Sequence, residues 1–168
     1  MEFSLFYFSG DGSTNNNDKY RLLIEGAKFA DRNGFSAVWI PERHFDAFGG
    51  LYPNPSVLGG AIATITEQIQ IRSGSVVMPL QHPLRVAEEW SVVDNLSKGR
   101  VSLSFAPGWH SDDFVFYPDN YASKKEIMWR DIQTVKKAWE GEAIELQGGN
   151  GESVKVQTFP RPLQKELS

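Results

Sequence analysis

Short apolar runs alternate along this chain with longer segments in which apolar residues return every three or four positions. The run from Phe3 to Ser9 is too apolar for a strand with one wet face, so a buried strand is expected there. A polar stretch, Gly10 to Asn17, follows it. Tyr20, Leu23, Ala27 and Ala30 recur at helical spacing, and Gly34 stands where that helix can end. Ala37 to Ile40 predicts a second buried strand. Asn54-Pro55 joins a capping side chain to a first-turn proline, opening a helix with Leu58, Ala61, Ile62 and Ile65 on its apolar face. Ile69 to Val77 is the third strand. His82-Pro83 opens a helix with Val86, Trp90, Val93 and Leu96 on one face and a stop near Gly99. Val101 to Ala106 is the fourth strand. Ser123-x-x-Glu126 spells a capping box ahead of a stripe of Met128, Ile132, Val135 and Trp139. Beyond Gly141, two polar segments flank Gly148-Gly149-Asn150-Gly151 and predict a hairpin at about 142–158. The tail, with Pro160 and Pro162, shows no element.

The pattern is thus β-α four times over and then a hairpin, an α/β chain with a parallel sheet and right-handed crossovers. No break in composition divides it, so residues 1–168 are expected to form a single domain. Two architectures fit: a small open doubly wound sheet, or part of a (β/α)8 barrel, which typically takes ~250 residues. Periodicity does not separate them.

Composition narrows the function more than the fold. The chain has 17 basic and 21 acidic residues, a net charge of -4, which weighs against a nucleic-acid partner. With no cysteine it has no disulfide, thiolate metal site or cysteine nucleophile, and no metal site is expected. A content of 40% hydrophobic and 23% charged residues is that of a folded globule rather than a disordered tail or coiled coil. No apolar run nears the ~18 residues of a membrane span. Met1-Glu2-Phe3-Ser4 lacks the basic start of a secretion signal, so a cytoplasmic setting without membrane contact is expected.

In either architecture ligands meet the carboxyl ends of the strands. The second strand runs into Pro41-Glu42-Arg43-His44-Phe45, where a carboxylate, a guanidinium and an imidazole could bind an anion and move protons. A salt-bridged loop explains the same residues. Ser73-Gly74-Ser75 in the third strand would let a flat ligand approach the backbone, or would mark a bulge or a packing layer. After the fourth strand, Ala106-Pro107-Gly108-Trp109-His110 could line a pocket, or Trp109 could cover the core. His82 reads as structural. Arg85, Glu88, Glu89 and Asp94 read as a solvated helix face with Arg85 paired to Glu89, and Lys124, Lys125, Lys136 and Lys137 as exposed charges. No phosphate-binding GxGxxG, P-loop, HExxH or GxSxG is present, and Gly10-x-Gly12 is too short to count as one.

Several segments in collinear order carry a wider resemblance: Ala37-Val38-Trp39-Ile40-Pro41-Glu42-Arg43-His44-Phe45, Gly50-Leu51-Tyr52-Pro53-Asn54-Pro55, Ile71 through Pro83, Arg85 through Arg100, and Ala106-Pro107-Gly108-Trp109-His110. Together they resemble the bacterial luciferase-like flavin monooxygenases, in particular the branch associated with natural-product biosynthesis. The resemblance implies the first half of a (β/α)8 TIM barrel with a hairpin insertion. It also implies reduced FMN, supplied by a separate flavin reductase, and O2 used to oxygenate a small organic substrate. By the same resemblance Gly74-Ser75 is a non-proline cis peptide beneath the flavin ring, and Ala106 and Trp109 line the flavin cavity. His44, with Glu42, is the catalytic pair near the reacting edge. Arg43 stands where the luciferase α subunit has a catalytic histidine, and a guanidinium is not the same base. Pro107 stands where that subunit has a phosphate-binding arginine.

At 168 residues the chain is roughly 80 short of the ~250-residue barrel it resembles. A lone half-barrel would bare the inward side chains of four strands and two sheet edges, so a homodimer or another oligomer is expected. Beside the oxygenase stand two other readings: a catalytically silent half-barrel acting as an oligomeric or partner-binding protein, and a small open sheet binding another ligand at its strand ends.

Overall fold

The computed structural model describes residues 1–8, 10 and 18–168. Its main sheet has four parallel strands, β1 (Ser4–Phe6), β2 (Ala37–Ile40), β3 (Gln70–Val77) and β4 (Val101–Ala106), lying side by side in chain order. Helices α1 (Arg21–Arg32), α2 (Pro55–Ala63) and α3 (Pro83–Ser97) connect them, and α4 (Lys124–Glu140) follows β4. Sequential order with same-handed crossovers puts every helix on one face and leaves the other to curl inward, as in a barrel. A doubly wound sheet would need the order to reverse, so the topology decides between the two architectures. The hairpin β5 (Ile144–Gln147) and β6 (Ser153–Val156) forms its own antiparallel pair.

The strand registers show the two faces as alternate rows. Leu5, Val38, Ile71 and Val101 are in register across the sheet, and the last three are fully buried under the helices. One residue on, Phe6, Trp39, Arg72 and Ser102 form the next row, on the side without helices. There the Arg72 guanidinium lies 5.2 Å from the Trp39 ring centroid.

The helices form where the pattern places them, with exceptions that have physical causes. Asn54 Oδ1 accepts from the Ser56 and Val57 N–H groups at 2.9 and 3.3 Å and starts α2. The buried side of α2 is Pro55, Ser56, Gly59, Ile62 and Ala63, while Ala61 is exposed and Leu58 and Ile65 are only half-buried. Gly59 sets that rotation, because it lets Trp90 and Val93 of α3 come against the α2 backbone. Leu96, expected on the buried side of α3, is largely exposed, and Tyr20 lies just outside α1. Asp94, expected in solvent, is fully buried because the tail folds over it. Ser123 precedes α4 but its side chain makes no capping bond. Lys124 is half-buried rather than exposed, its Nζ 4.1 Å from the Tyr121 ring centroid. β1 is the clearest departure from the pattern: it spans three residues, with Ser4 and Phe6 exposed on the side without helices. Ser9 and most of the polar stretch after it, including Gly12, lie outside the described residues.

Candidate functional site

β2 ends at Ile40, and its next residues cross the carboxyl edge of the sheet. The Glu42 side chain is fully buried there and has three donors. His44 Nε2 and Gln81 Nε2 donate to Oε1 at 2.9 and 2.7 Å, and the Val77 N–H donates to Oε2 at 2.8 Å. The carboxylate therefore ties the end of β2 to the end of β3 and fixes the imidazole, with Nε2 as its N–H.

β3 and β4 lose their regular register between Ser73 and Val76. Within that irregularity the Gly74–Ser75 peptide is cis. Side chains replace the missing ladder: Ser73 Oγ donates to the Ser104 carbonyl at 3.0 Å and accepts from the Ser104 N–H at 2.9 Å, and Ser104 Oγ donates back to the Ser73 carbonyl. Beyond β4, Gly108 has φ 76°, and a Cβ there would come within 3.0 Å of Phe114 and Val77. Its absence lets Phe114 plug the sheet end, which brings the neighbouring Asp113 in beside Arg43. Gly49, with φ 81°, does the same for Arg43, whose Cγ would lie 2.9 Å from a Cβ at that position.

These elements enclose a cavity of about 300 Å³ at the carboxyl ends of the strands. Glu42, Gly74, Ser75, Ala106 and Trp109, all named from the sequence, line it together, with Phe8, Val77 and Pro107 as further apolar wall. His44 is not among them. Its ring sits beyond Glu42, edge-on to Phe116 with centroids 5.1 Å apart, and lines a neighbouring cavity of about 420 Å³ with Asn54, Gln81 and Tyr117. Trp109 does not cover the core; it is 73% exposed and stacks on the Arg43 guanidinium at 5.1 Å. His82 is structural, its Nδ1 accepting from the Leu84 N–H at the start of α3.

Two more charged residues line this cavity, Arg43 from the run singled out in the sequence and Asp113, which the sequence reading missed. Arg43 is buried, bonded through Nη2 to Asp46 Oδ2 at 2.8 Å, with Asp113 Oδ2 at 3.9 Å from Nη1. Arg43 belongs to the charged run after β2, so its position was a usable signal. Asp113 sits seven residues past β4 on a short 3-10 turn, Ser111–Phe116, and nothing in its spacing marked it. Among the described residues no group of three metal-ligating side chains occurs, and no helix is long and apolar enough to cross a membrane.

The cavity joins an apolar side of Phe8, Val77, Ala106 and Trp109 to a polar side of Glu42, Arg43 and Asp113, and the Gly74–Ser75 backbone adds little bulk to it. The sequence is 31% identical to the oxygenase component of the flavin-dependent trigonelline monooxygenase of Acinetobacter baylyi, over 98% of this chain and 46% of that protein. It is 31% identical to the alkanal monooxygenase alpha chain of the Kryptophanaron alfredi symbiont, over 68% of this chain and 32% of that one. Monooxygenase RslO1 from Streptomyces bottropensis superposes with a TM-score of 0.84 at 25% identity, covering 98% of this chain and 51% of its own. The oxygenating constituent of the 3,6-diketocamphane monooxygenase of Pseudomonas putida, solved with FMN, shares the fold with a TM-score of 0.79. The chain spans about half the length of these relatives or less, and its four strands with their helices are the first half of a TIM barrel. Residues 1–166 match the model of the luciferase-like monooxygenases, and the chain belongs to that family.

Proposed function

We propose that this chain acts as the oxygenase component of a two-component flavin monooxygenase. It would take reduced FMN from a separate reductase and oxygenate a small organic substrate with O2. The observation that carries the reading is the convergence of Glu42, the Gly74–Ser75 backbone, Ala106 and Trp109 on one cavity at the strand ends. The A. baylyi relative, named as an oxygenase component, supports the division of labour with a reductase.

Reduced FMN, when bound, supplies the electrons that activate O2. The chain's own residues supply the rest. Gly74, Ser75 and Ala106 form a floor with little side-chain bulk, and Phe8, Val77 and Trp109 offer the ring apolar wall. Glu42 holds both strand ends in place and fixes the tautomer of His44. That leaves His44 Nδ1 as the atom that can accept or hold a proton at the adjoining cavity, where a substrate would approach.

Titration of the purified chain with FMN, oxidised and then reduced without air, tests the reading by flavin fluorescence. Saturable binding is expected, weakened about tenfold or more by Ser75→Trp, which fills the floor. His44→Ala should leave that binding in place and lower substrate oxygenation when the reductase is added. No binding at millimolar flavin overturns the proposal.

A further inference from the structure

We propose that the cavity beside His44 admits a neutral aromatic compound carrying a hydroxyl group, a phenol, and that His44 Nδ1 and Gln81 Oε1 are the acceptors for its O–H. The proposal rests on the reading of that cavity as the place of the substrate and adds the substrate's chemical class. Three polar side chains line the cavity, His44, Gln81 and Asn54. Each already has a partner, and that partner decides which of its polar atoms is left. A carboxylate takes only donors, so Glu42 Oε1 binds the Nε2–H of His44 at 2.9 Å and the Nε2 amide of Gln81 at 2.7 Å. What remains is an acceptor on each, Nδ1 and Oε1. Asn54 Oδ1 is taken up by the start of α2, where it accepts from Ser56 and Val57, and Nδ2 remains as a donor. Among the described residues none of these three atoms has a hydrogen-bond partner, and none is sealed from solvent. The imidazole itself is only 8% exposed, so the access that Nδ1 keeps is through the cavity the ring lines.

Charge and shape narrow the ligand. Among the described residues no lysine, arginine, aspartate or glutamate lines this cavity, and the Glu42 side chain behind it is fully buried with both oxygens bonded. An ion entering would lose its water and meet no counter-charge, so the ligand is neutral. Two acceptors beside one donor favour a ligand that donates, which a hydroxyl does and an ether or bare carbonyl does not. The remaining wall is Pro53, Leu80, Phe116 and Tyr117. Phe116 stands edge-on to His44 and is tilted against Phe45 with centroids 5.2 Å apart, so an aromatic body extends a cluster of rings already there. A cavity of about 150 Å³ takes one benzene ring. At about 420 Å³ this one has room for a fused pair. With the O–H on Nδ1, the proton can pass from the phenol oxygen to that nitrogen, leaving a phenolate beside an imidazolium paired with Glu42. The ring is then richer in electrons and more open to oxygenation.

The test uses three single-ring probes that differ only at the polar end: p-cresol, its methyl ether 4-methylanisole, and 4-methylbenzaldehyde. Each is titrated into the purified chain and followed at the imidazole NMR signals of His44, which a His44→Phe variant identifies among the three histidines. p-Cresol should bind about tenfold or more tightly than either of the others. Gln81→Met, which keeps the length of the side chain and removes Oε1, should weaken p-cresol about threefold or more and leave 4-methylanisole unchanged. The wild-type comparison stands even where the variant fails to fold. Equal affinities, tighter binding of the aldehyde, or His44 signals that move with no probe overturns the proposal. Flavin titration of the same sample separates the two readings. Selectivity for p-cresol without flavin binding supports the phenol site and sinks the flavin reading; flavin binding with indifferent probes does the reverse.

Discussion

Asp94 is a carboxylate buried in the last turn of α3, and its surroundings explain how it is tolerated. Oδ2 accepts from the backbone N–H groups of Leu163 and Gln164 at 2.7 and 3.0 Å, and Oδ1 accepts from Gln164 Nε2 at 2.7 Å. The carboxylate thus pins the tail to the helix. Asp94→Ala strands those donors and should cost roughly 2–3 kcal/mol, read as a lower urea midpoint, with a smaller loss for Asp94→Asn. Asp31 makes a similar clamp at the amino-terminal end of β3, accepting from the N–H groups of Glu67, Gln68 and Ile69 at 2.8–3.0 Å. Burial pushes its pKa up, but those three bonds outweigh burial and hold it below the usual carboxylate value. Asp46 is lowered as well, by the Phe48 N–H and the Arg43 guanidinium. A depressed pKa in the folded chain adds stability above the unfolded value, about 3.9, and the addition is lost as pH falls through the folded value below it. The urea midpoint should therefore drop as pH falls below about 4. Asp31→Asn should lower the midpoint at neutral pH and flatten that acid slope, modestly, because the carboxylate is close to solvent.

At the scale of elements, Arg100 fastens the amino-terminal ends of the strands. Its guanidinium is buried ahead of β4 and donates to the carbonyls of Ser97, Thr66 and Ile69 and to Thr66 Oγ1 at 2.6–3.0 Å. One side chain thus joins the end of α3, the loop after α2 and the start of β3. Arg100→Met keeps the stem and removes every donor; a loss of roughly 3 kcal/mol in chemical denaturation, with flavin binding unchanged at the far edge of the sheet, is expected. A loss of flavin binding at equal foldedness would instead tie the two ends of the sheet together. Most of these elements were legible in the sequence, because apolar period and capping chemistry are local. β2 and β4 fall on the predicted residues, and Asn54 and His82 cap as their prolines suggest. Local pattern fails where a distant segment decides burial. The tail over Asp94 and Gly59 against Trp90 are such cases, and neither leaves a periodic trace. The candidate site divides along the same line. Glu42, Gly74, Ser75, Ala106 and Trp109 sit at strand ends, where topology alone sends them to one cavity. His44 turns into the next cavity because Glu42 takes its Nε2, a contact that spacing does not reveal. Asp113 depends on Phe114 plugging the space that Gly108 leaves.

At the scale of the whole molecule, the row Phe6, Trp39, Arg72 and Ser102 faces away from every helix. Phe6 is 58% exposed on it. Phe8 stacks on Phe6 and meets Phe48 edge-on at 4.8 Å, so the aromatic surface continues to the rim of the cavity. A contiguous apolar surface of this kind draws a partner. The edges favour the same outcome through the face rather than through strand addition: β1 is only three residues long, and on β4 the Leu103 N–H is already taken by the Ser168 carbonyl at 2.7 Å. The isolated chain is therefore expected to self-associate through the uncovered face. Light scattering over a dilution series should show a mass above that of one chain, falling as the protein is diluted. Phe6→Glu, which puts a charge in the row without touching the helix-side core, should shift the series to the monomer. A compact monomer of constant mass at every concentration would show that the face is stable uncovered and remove the reason to expect a partner.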